Sequence, residues 1–263
     1  MTRRNRISGP IAVRCLLLMA LVACGGTVSP FRRRAVVGRD GYAVFVGDAP
    51  GGHADLFAVR SDGGEVFQIT FTPVREAGPA LSPDGMMLAF LRAHGRGDTL
   101  PRTPWVMNLL NGAERRLEFP AGGRAEAIGW SRDGRTLYVS AGQFAYAIPA
   151  PPSSGPASAV PPDEWRLVDS ALQVFAGDPP FARVFECEQT ICAGTDNGTA
   201  RAIADAGRDP ARWGSDSIGY FSGDELLVRP AGPGRARRVN WSRAPSHLRE
   251  LTAFAGAPAP RAP

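Results

Sequence analysis

The sequence predicts an all-β fold: a β-propeller of four-stranded antiparallel blades, with five recognisable units and room for a degenerate sixth. A turn phrase recurs as Leu81-Ser82-Pro83-Asp84-Gly85, as Trp130-Ser131-Arg132-Asp133-Gly134 and, more loosely, as Val37-Gly38-Arg39-Asp40-Gly41. Each copy runs into an apolar, β-branched or aromatic stretch, as in Thr136-Leu137-Tyr138-Val139-Ser140. The spacing is regular: 44 residues from Asp40 to Asp84, 49 from Asp84 to Asp133, and 83 from Asp133 to Asp216, close to two units. Four-stranded blades repeat about every 40–50 residues, and no blade buries both its faces alone, so several must close into a ring. Asp-Gly suits the reversal because the carboxylate caps the turn and glycine accepts φ > 0.

Residues 1–23 read as a lipoprotein signal peptide. Arg3, Arg4, Arg6 and Arg14 precede a short apolar core, and Leu21-Val22-Ala23-Cys24 resembles a bacterial lipobox. That resemblance implies lipidation of Cys24 on sulfur, with Cys24 as the mature N-terminus. An ordinary signal peptide, or an uncleaved anchor, with Cys24 there by chance, is the competing reading. Gly25 stands after the cysteine where inner-membrane retention calls for Asp, so the family rule points to the periplasmic face of the outer membrane. The formal charge of +5, less those four arginines, is +1 for the mature chain, so the basic balance gives no support to nucleic-acid binding. All 30 basic residues are arginine, which together with the abundance of Ala, Gly and Pro reads as coding bias.

Residues 24–34 read as a tether, 35–255 as the propeller and 256–263 as a disordered Ala/Pro tail. Unit one places Tyr42–Val46 after Asp40-Gly41, then 55–60, the turn Ser61-Asp62-Gly63-Gly64, and 65–70. Unit two runs through 79–82, 87–92, 105–110 and 115–119, with 94–104 as an insertion. Unit three runs through 125–131, 136–140 and 143–148, then a Pro/Ser/Gly loop from Pro149. Unit four reads as 172–176, 183–186, 191–194 and 199–204; a second frame sets Trp165 and Asp169 at the positions of Trp130 and Asp133. Unit five opens on Trp213-Gly214-Ser215-Asp216, an echo of Trp130-Ser131-Arg132-Asp133. Residues 248–254 read either as part of a sixth unit or as a closing strand.

The phrases at Leu81–Gly85 and Trp130–Gly134, with Trp105-Val106-Met107-Asn108, resemble the bacterial TolB-type, WD-like propeller repeat. The resemblance is strong over residues 36–148 and weak beyond, except near Trp213. It implies blades around a central channel in a periplasmic protein that contacts other proteins. TolB itself works with a peptidoglycan-associated lipoprotein. This chain reads as departing from it: it carries its own lipobox, and TolB's separate N-terminal domain is not expected in it.

Reactive constellations are scarce. His53, His94 and His247 are isolated and read as loop residues, with His53 and Asp55 as a weak proton-handling pair. No Gly-x-Ser-x-Gly elbow and no Lys-terminated phosphate loop occurs. Asp40, Asp84, Asp133 and Asp216, with Gly41, Gly85 and Gly134, read as turn formers, and Trp130 and Trp213 as packing between blades. Cys187 and Cys192, on either side of a short turn, read as a disulfide in an oxidising compartment or as two buried thiols. No cofactor or metal is implied. The expectation is a membrane-tethered, non-enzymatic module that docks an envelope protein; the alternative is a lyase- or cyclase-type enzyme, or a small-ligand binder, with its site in the channel.

Overall fold

The computed structural model describes residues 28–93, 101–120, 124–142, 144–151, 166–168, 183–188, 190–194, 200–204, 206–230 and 232–257. Cys24, His94, Trp165, Asp169, the strand expected at 172–176 and the tail beyond 257 lie outside them.

The strands are β1 (Tyr42–Asp48), β2 (Ala54–Arg60), β3 (Gly64–Glu65), β4 (Phe67–Gln68), β5 (Glu76–Leu81), β6 (Met87–Ala93) and β7 (Arg102–Asn108). They continue as β8 (Glu114–Arg116), β9 (Ala127–Trp130), β10 (Thr136–Ala141), β11 (Phe144–Pro149), β12 (Arg166–Val168), β13 (Arg183–Cys187) and β14 (Thr190–Gly194). The last are β15 (Ala200–Ala204), β16 (Arg208–Trp213), β17 (Ser217–Ser222), β18 (Glu225–Pro230), β19 (Arg237–Val239), β20 (Trp241–Ser242) and β21 (Ser246–Phe254).

These make a five-bladed propeller. Blade 1 has the order β21-β1-β2-β4, blade 2 β5-β6-β7-β8, blade 3 β9-β10-β11-β12 and blade 5 β16-β17-β18-β19; blade 4 shows β13-β14-β15. Among the described residues no sixth blade forms. The C-terminal strand β21 completes blade 1 as its first-position strand, pairing Tyr42 with Phe254 and Val44 with Thr252. Unit one carries only three strands of its own, so the ring closes by borrowing the fourth from the chain's other end. Trp241-Ser242 forms β20, which pairs in parallel with β3 and straps blade 5 to blade 1. Because Arg166–Val168 pairs with β11 as the outer strand of blade 3, the frame built on Trp165 and Asp169 is excluded.

The core lies in the seams between blades. On β1, Val44 and Val46 face blade 2 with Leu88, Phe90 and Met107, while Ala43 and Phe45 face blade 5 with Phe221 and Leu226. A strand buried on both faces reads as a continuous apolar run, as Tyr42–Val46 does. Trp130 and Leu137 pack the seam of blades 2 and 3, and Ile191 and Tyr220 that of blades 4 and 5.

Adjacent strands run antiparallel, so their connections alternate between two faces of the ring. One, the turn face, carries the Asp84-Gly85, Asn111-Gly112, Asp133-Gly134 and Gly214–Asp216 turns. The other carries 49–53, 69–75, 223–224 and 240–246. The segment read as a free tether is docked on the turn face from Val28 onward. Phe31 is 0% exposed among Tyr42 and Phe67, and the Ser29 hydroxyl donates to the Leu109 carbonyl at 2.5 Å.

Candidate functional site

The recurring aspartates occupy three different situations. In blades 2 and 3 the turn is self-contained. Asp84 accepts from the Ser82 hydroxyl (2.6 Å) and the Met86 N–H (2.9 Å), and Asp133 from the Ser131 hydroxyl (2.7 Å) and the Arg135 N–H (3.0 Å). Those donors hold Asp133 below the usual carboxylate range. Gly85 (φ 66°) and Gly134 (φ 69°) take the left-handed conformation. Asp40 instead reaches back to the Val36 N–H at 2.8 Å. Gly41 does not have φ > 0, contrary to the sequence reading. It is small because a Cβ there would meet the Ala255 carbonyl oxygen at 2.6 Å, where the chain's last strand ends beside its first.

Blade 5 departs further. Leu137 pairs with Trp130, but the equivalent Ile218 pairs with Arg212, and Trp213 pairs with Ser217. The turn is one residue shorter, and a one-residue slip sends a side chain to the opposite face of its sheet. Trp130 packs toward blade 2 and donates Nε1–H to the Ala80 carbonyl at 2.9 Å, whereas Trp213 packs toward blade 1. Asp216 accepts only from the Ser217 hydroxyl at 3.2 Å among the described contacts, so it is no counterpart of Asp133.

A buried charged cluster, unmarked by the sequence reading, spans the seam of blades 1 and 2. Arg92 donates from Nε (2.9 Å) and Nη2 (2.6 Å) to Oε1 of Glu76, and from Nη1 to Glu114 at 2.8 Å; its guanidinium lies 4.3 Å from the Trp105 ring centroid. Thr70 donates its hydroxyl to the other Glu76 oxygen. Across the seam Asp55 accepts from Gln68 Nε2 at 2.6 Å, and its Oδ1 is buried without a hydrogen-bond partner. Burial pushes Glu76 up to about 7 against the pull of Arg92, and Asp55 up to about 6 against the pull of Gln68. An arginine ending the apolar run Met87–Ala93 was the available sequence signal, since such a charge must find a partner.

The first-position strands share an irregularity. Gly78, Asp209 and Glu250 stand at equivalent register, each the first of two residues that oppose a single residue of the adjoining strand, and each has positive φ (57°, 51° and 54°). The bulge there frees backbone groups for the neighbouring blade: Glu250 accepts from the Gly78 N–H, Glu186 accepts from the Asp209 N–H, and Arg208 donates to the Leu248 carbonyl. Glu250 and Glu186 are thus spent on joining blades.

His247 is in β21, not in a loop, with Nδ1 2.8 Å from Asp48, which also meets Arg249 at 3.2 Å. His53 lies in the 49–53 turn, and the hydrogen bond of Asp55 goes to Gln68. Among the described residues no group of three or more His, Cys, Asp or Glu is placed to hold a metal ion. Cys187 and Cys192 form a disulfide across the β13–β14 turn, Cα atoms 5.9 Å apart. A groove of about 530 Å³ lies at the outer edge of blade 1. Phe57, Phe67, Pro50 and Pro245 line it, Arg34, Asp48, Glu65 and Arg243 rim it, and Phe71 stands in it 75% exposed.

No protein-family model matches the chain, and no curated protein matches it. Among solved structures, TolB from Acinetobacter baumannii is 12% identical, with 92% of this chain and 71% of that chain covered and a TM-score of 0.40. A putative TolB from Agrobacterium tumefaciens is 14% identical over 82% and 72%, with a TM-score of 0.34. The tricorn protease is 17% identical over 77% of this chain and 22% of its own, with a TM-score of 0.39.

Proposed function

We propose that this chain is a lipid-tethered, periplasmic propeller of the outer membrane that binds an envelope protein and works by recognition, without catalysis. The groove beside Phe71 carries the reading. A large aromatic held in water over an apolar floor with charged rims of both signs is how protein-docking surfaces are built, since aromatics anchor and the rim sets register. The charged groups of the seams and the channel support the same view, because their hydrogen bonds hold blades together.

A photo-crosslinking residue at Phe71, in cells carrying the full chain, is expected to capture one discrete envelope protein, and Arg243→Glu to weaken that capture. The same probe at Leu167, exposed on the edge of blade 3, serves as control. Equal capture at both positions rejects the groove. The anchor is tested separately by the mass of the mature N-terminal peptide: diacylglyceryl-Cys24 is expected, and an unmodified Cys24 rejects the lipoprotein reading. Cys24→Ser is expected to leave the chain uncleaved or released, because a hydroxyl does not take the lipid.

A further inference from the structure

We infer that the turn face of the propeller is a contact surface for anionic phospholipid, and that the ring therefore lies flat on the bilayer with its opposite face presented to the periplasm. This rests on the anchoring of the chain near residue 24. The first side-chain hydrogen bond of the docked segment is at Ser29, five residues after Cys24. Five residues span at most about 18 Å fully extended. The docked segment cannot swing, because Phe31 is fixed in the seam of blades 1 and 2 and the Val28 carbonyl abuts Gly112. Strands of seven residues are about 23 Å long. An anchor near residue 24 thus brings the turn face to the headgroups, while the far turns stand a strand's length higher.

The charges are distributed accordingly. Arg32, Arg33, Arg39, Arg132, Arg135 and Arg235 are exposed on the turn face. Among the acids there, Asp40 pairs with Arg39 and Arg60 and Asp62 with Arg60, Asp84 and Asp133 accept hydrogen bonds within their own turns, and Asp216 is exposed, so the named arginines together with Arg60 outnumber the carboxylates on this face. On the opposite face Glu126, Glu188 and Asp224 are exposed. The arginines Arg208, Arg243 and Arg249 of that face are paired with Asp209, Glu65 and Asp48. Arginine near an anionic surface is attracted within about a Debye length, roughly 8–10 Å, while exposed carboxylates are repelled. Tether length and charge therefore select the same orientation. The exposed arginines that gave no nucleic-acid surface find a chemical role here.

The test uses the full chain recovered from membranes and reconstituted into vesicles of phosphatidylethanolamine and phosphatidylglycerol, or of phosphatidylcholine alone, with hydrogen exchange as the readout. In the anionic vesicles, exchange at turns 109–113 and 131–135 is expected to slow by about fivefold or more. Turns 49–53 and 223–224 should not change. Added salt and the pair Arg32→Glu, Arg33→Glu should each remove the protection while the protein stays on the vesicle. Equal protection on both faces, or protection only at 49–53 and 223–224, overturns the proposal. Undiminished protection in phosphatidylcholine overturns its anionic-lipid part. The outcomes separate from the lipid reading: an unmodified Cys24 on a chain still protected on the turn face sinks the lipidation and leaves the surface standing.

Discussion

Blade 3 and blade 1 solve the same problem with opposite means. In blade 3 the first two strands are joined by five residues, Ser131 to Arg135, and the turn is complete in itself: hydroxyl, carboxylate, N–H and a left-handed glycine. In blade 1 the corresponding junction is not covalent. β21 comes from the end of the chain, and the place of the turn is filled by Ala257 N–H donating to Arg39 O, with Gly41 pressed against Ala255. A local turn tolerates isolation, whereas a closure built from contacts about 200 residues apart exists only when the whole ring exists. Order in this molecule is therefore set by its seams more than by its repeats.

The largest test of that contrast removes the borrowed strand. Ending the chain before Ser246 strips β1 of its inner partner and takes Leu248 and Leu251 out of the core between blades 5 and 1. The expected outcome is loss of the cooperative thermal transition followed by circular dichroism, with rapid proteolysis. A shortened chain that still melted cooperatively would show blades 2 to 5 to be self-sufficient.

Next in size is the pair of tryptophans. Trp213 is 5% exposed in the closure seam, and Trp213→Ala is expected to cost about 3–5 kcal/mol, the range for emptying a buried aromatic site. Trp130 is only half-buried, so Trp130→Ala should cost less, about 1–3 kcal/mol, including its bond to Ala80. Urea denaturation of the two variants decides it. The reverse order would mean that the local repeat, and not the closure, carries the ring.

The same contrast governs what was legible in the sequence. Turn phrases at Asp84 and Asp133 are local chemistry, so their spacing revealed the propeller, and the strands of blades 2 and 3 followed. β21 was legible only as one of two alternatives, a closing strand or part of a sixth unit, because pairing between chain ends leaves no local mark and Ser246–Phe254 has the composition of any strand. The echo at Trp213 misled for a related reason. Trp-Gly-Ser-Asp resembles Trp-Ser-Arg-Asp in letters, yet the turn is one residue shorter, and register decides which seam receives the ring. The Asp55–Glu76–Arg92 cluster escaped because its members lie on separate strands and only the seam brings them together. The Phe71 groove was equally silent, as an exposed aromatic reads like a core one until the fold is known.

That cluster supplies the third test, through pH. Asp55 and Glu76 bind their protons more tightly in the folded chain, at about 6 and about 7, than at the ordinary values of 3.8 and 4.5. Between those limits the native state holds more protons than the unfolded one, so stability falls as pH rises through the window. Each shift corresponds to roughly 3 kcal/mol at most. Unfolding in urea is expected to need less denaturant at pH 7.5 than at pH 5. Asp55→Asn should remove the part of the slope between pH 4 and 6 and raise stability at neutral pH. An unaltered slope in that variant would show that Asp55 does not meet the seam as a buried charge.

The smallest effect comes from the turns themselves. Asp84→Ala deletes the acceptor that gathers the Ser82 hydroxyl and the Met86 N–H, while Ser82 still accepts from Met87 N–H at 2.9 Å and Gly85 keeps its left-handed conformation. One carboxylate bond in a solvated turn contributes about 1 kcal/mol, because water replaces much of what is lost. Asp216→Ala removes only a weak contact to the Ser217 hydroxyl and should fall within about 0.5 kcal/mol of the parent. The two substitutions are the same in chemistry and nearly the same in exposure, so their difference isolates what the turn phrase does. A detectable loss at Asp84 with none at Asp216 places the repeat's energy in its local capping bonds. Equal losses would mean that the aspartate serves some purpose common to every blade, and the register difference at Trp213 would then need another consequence.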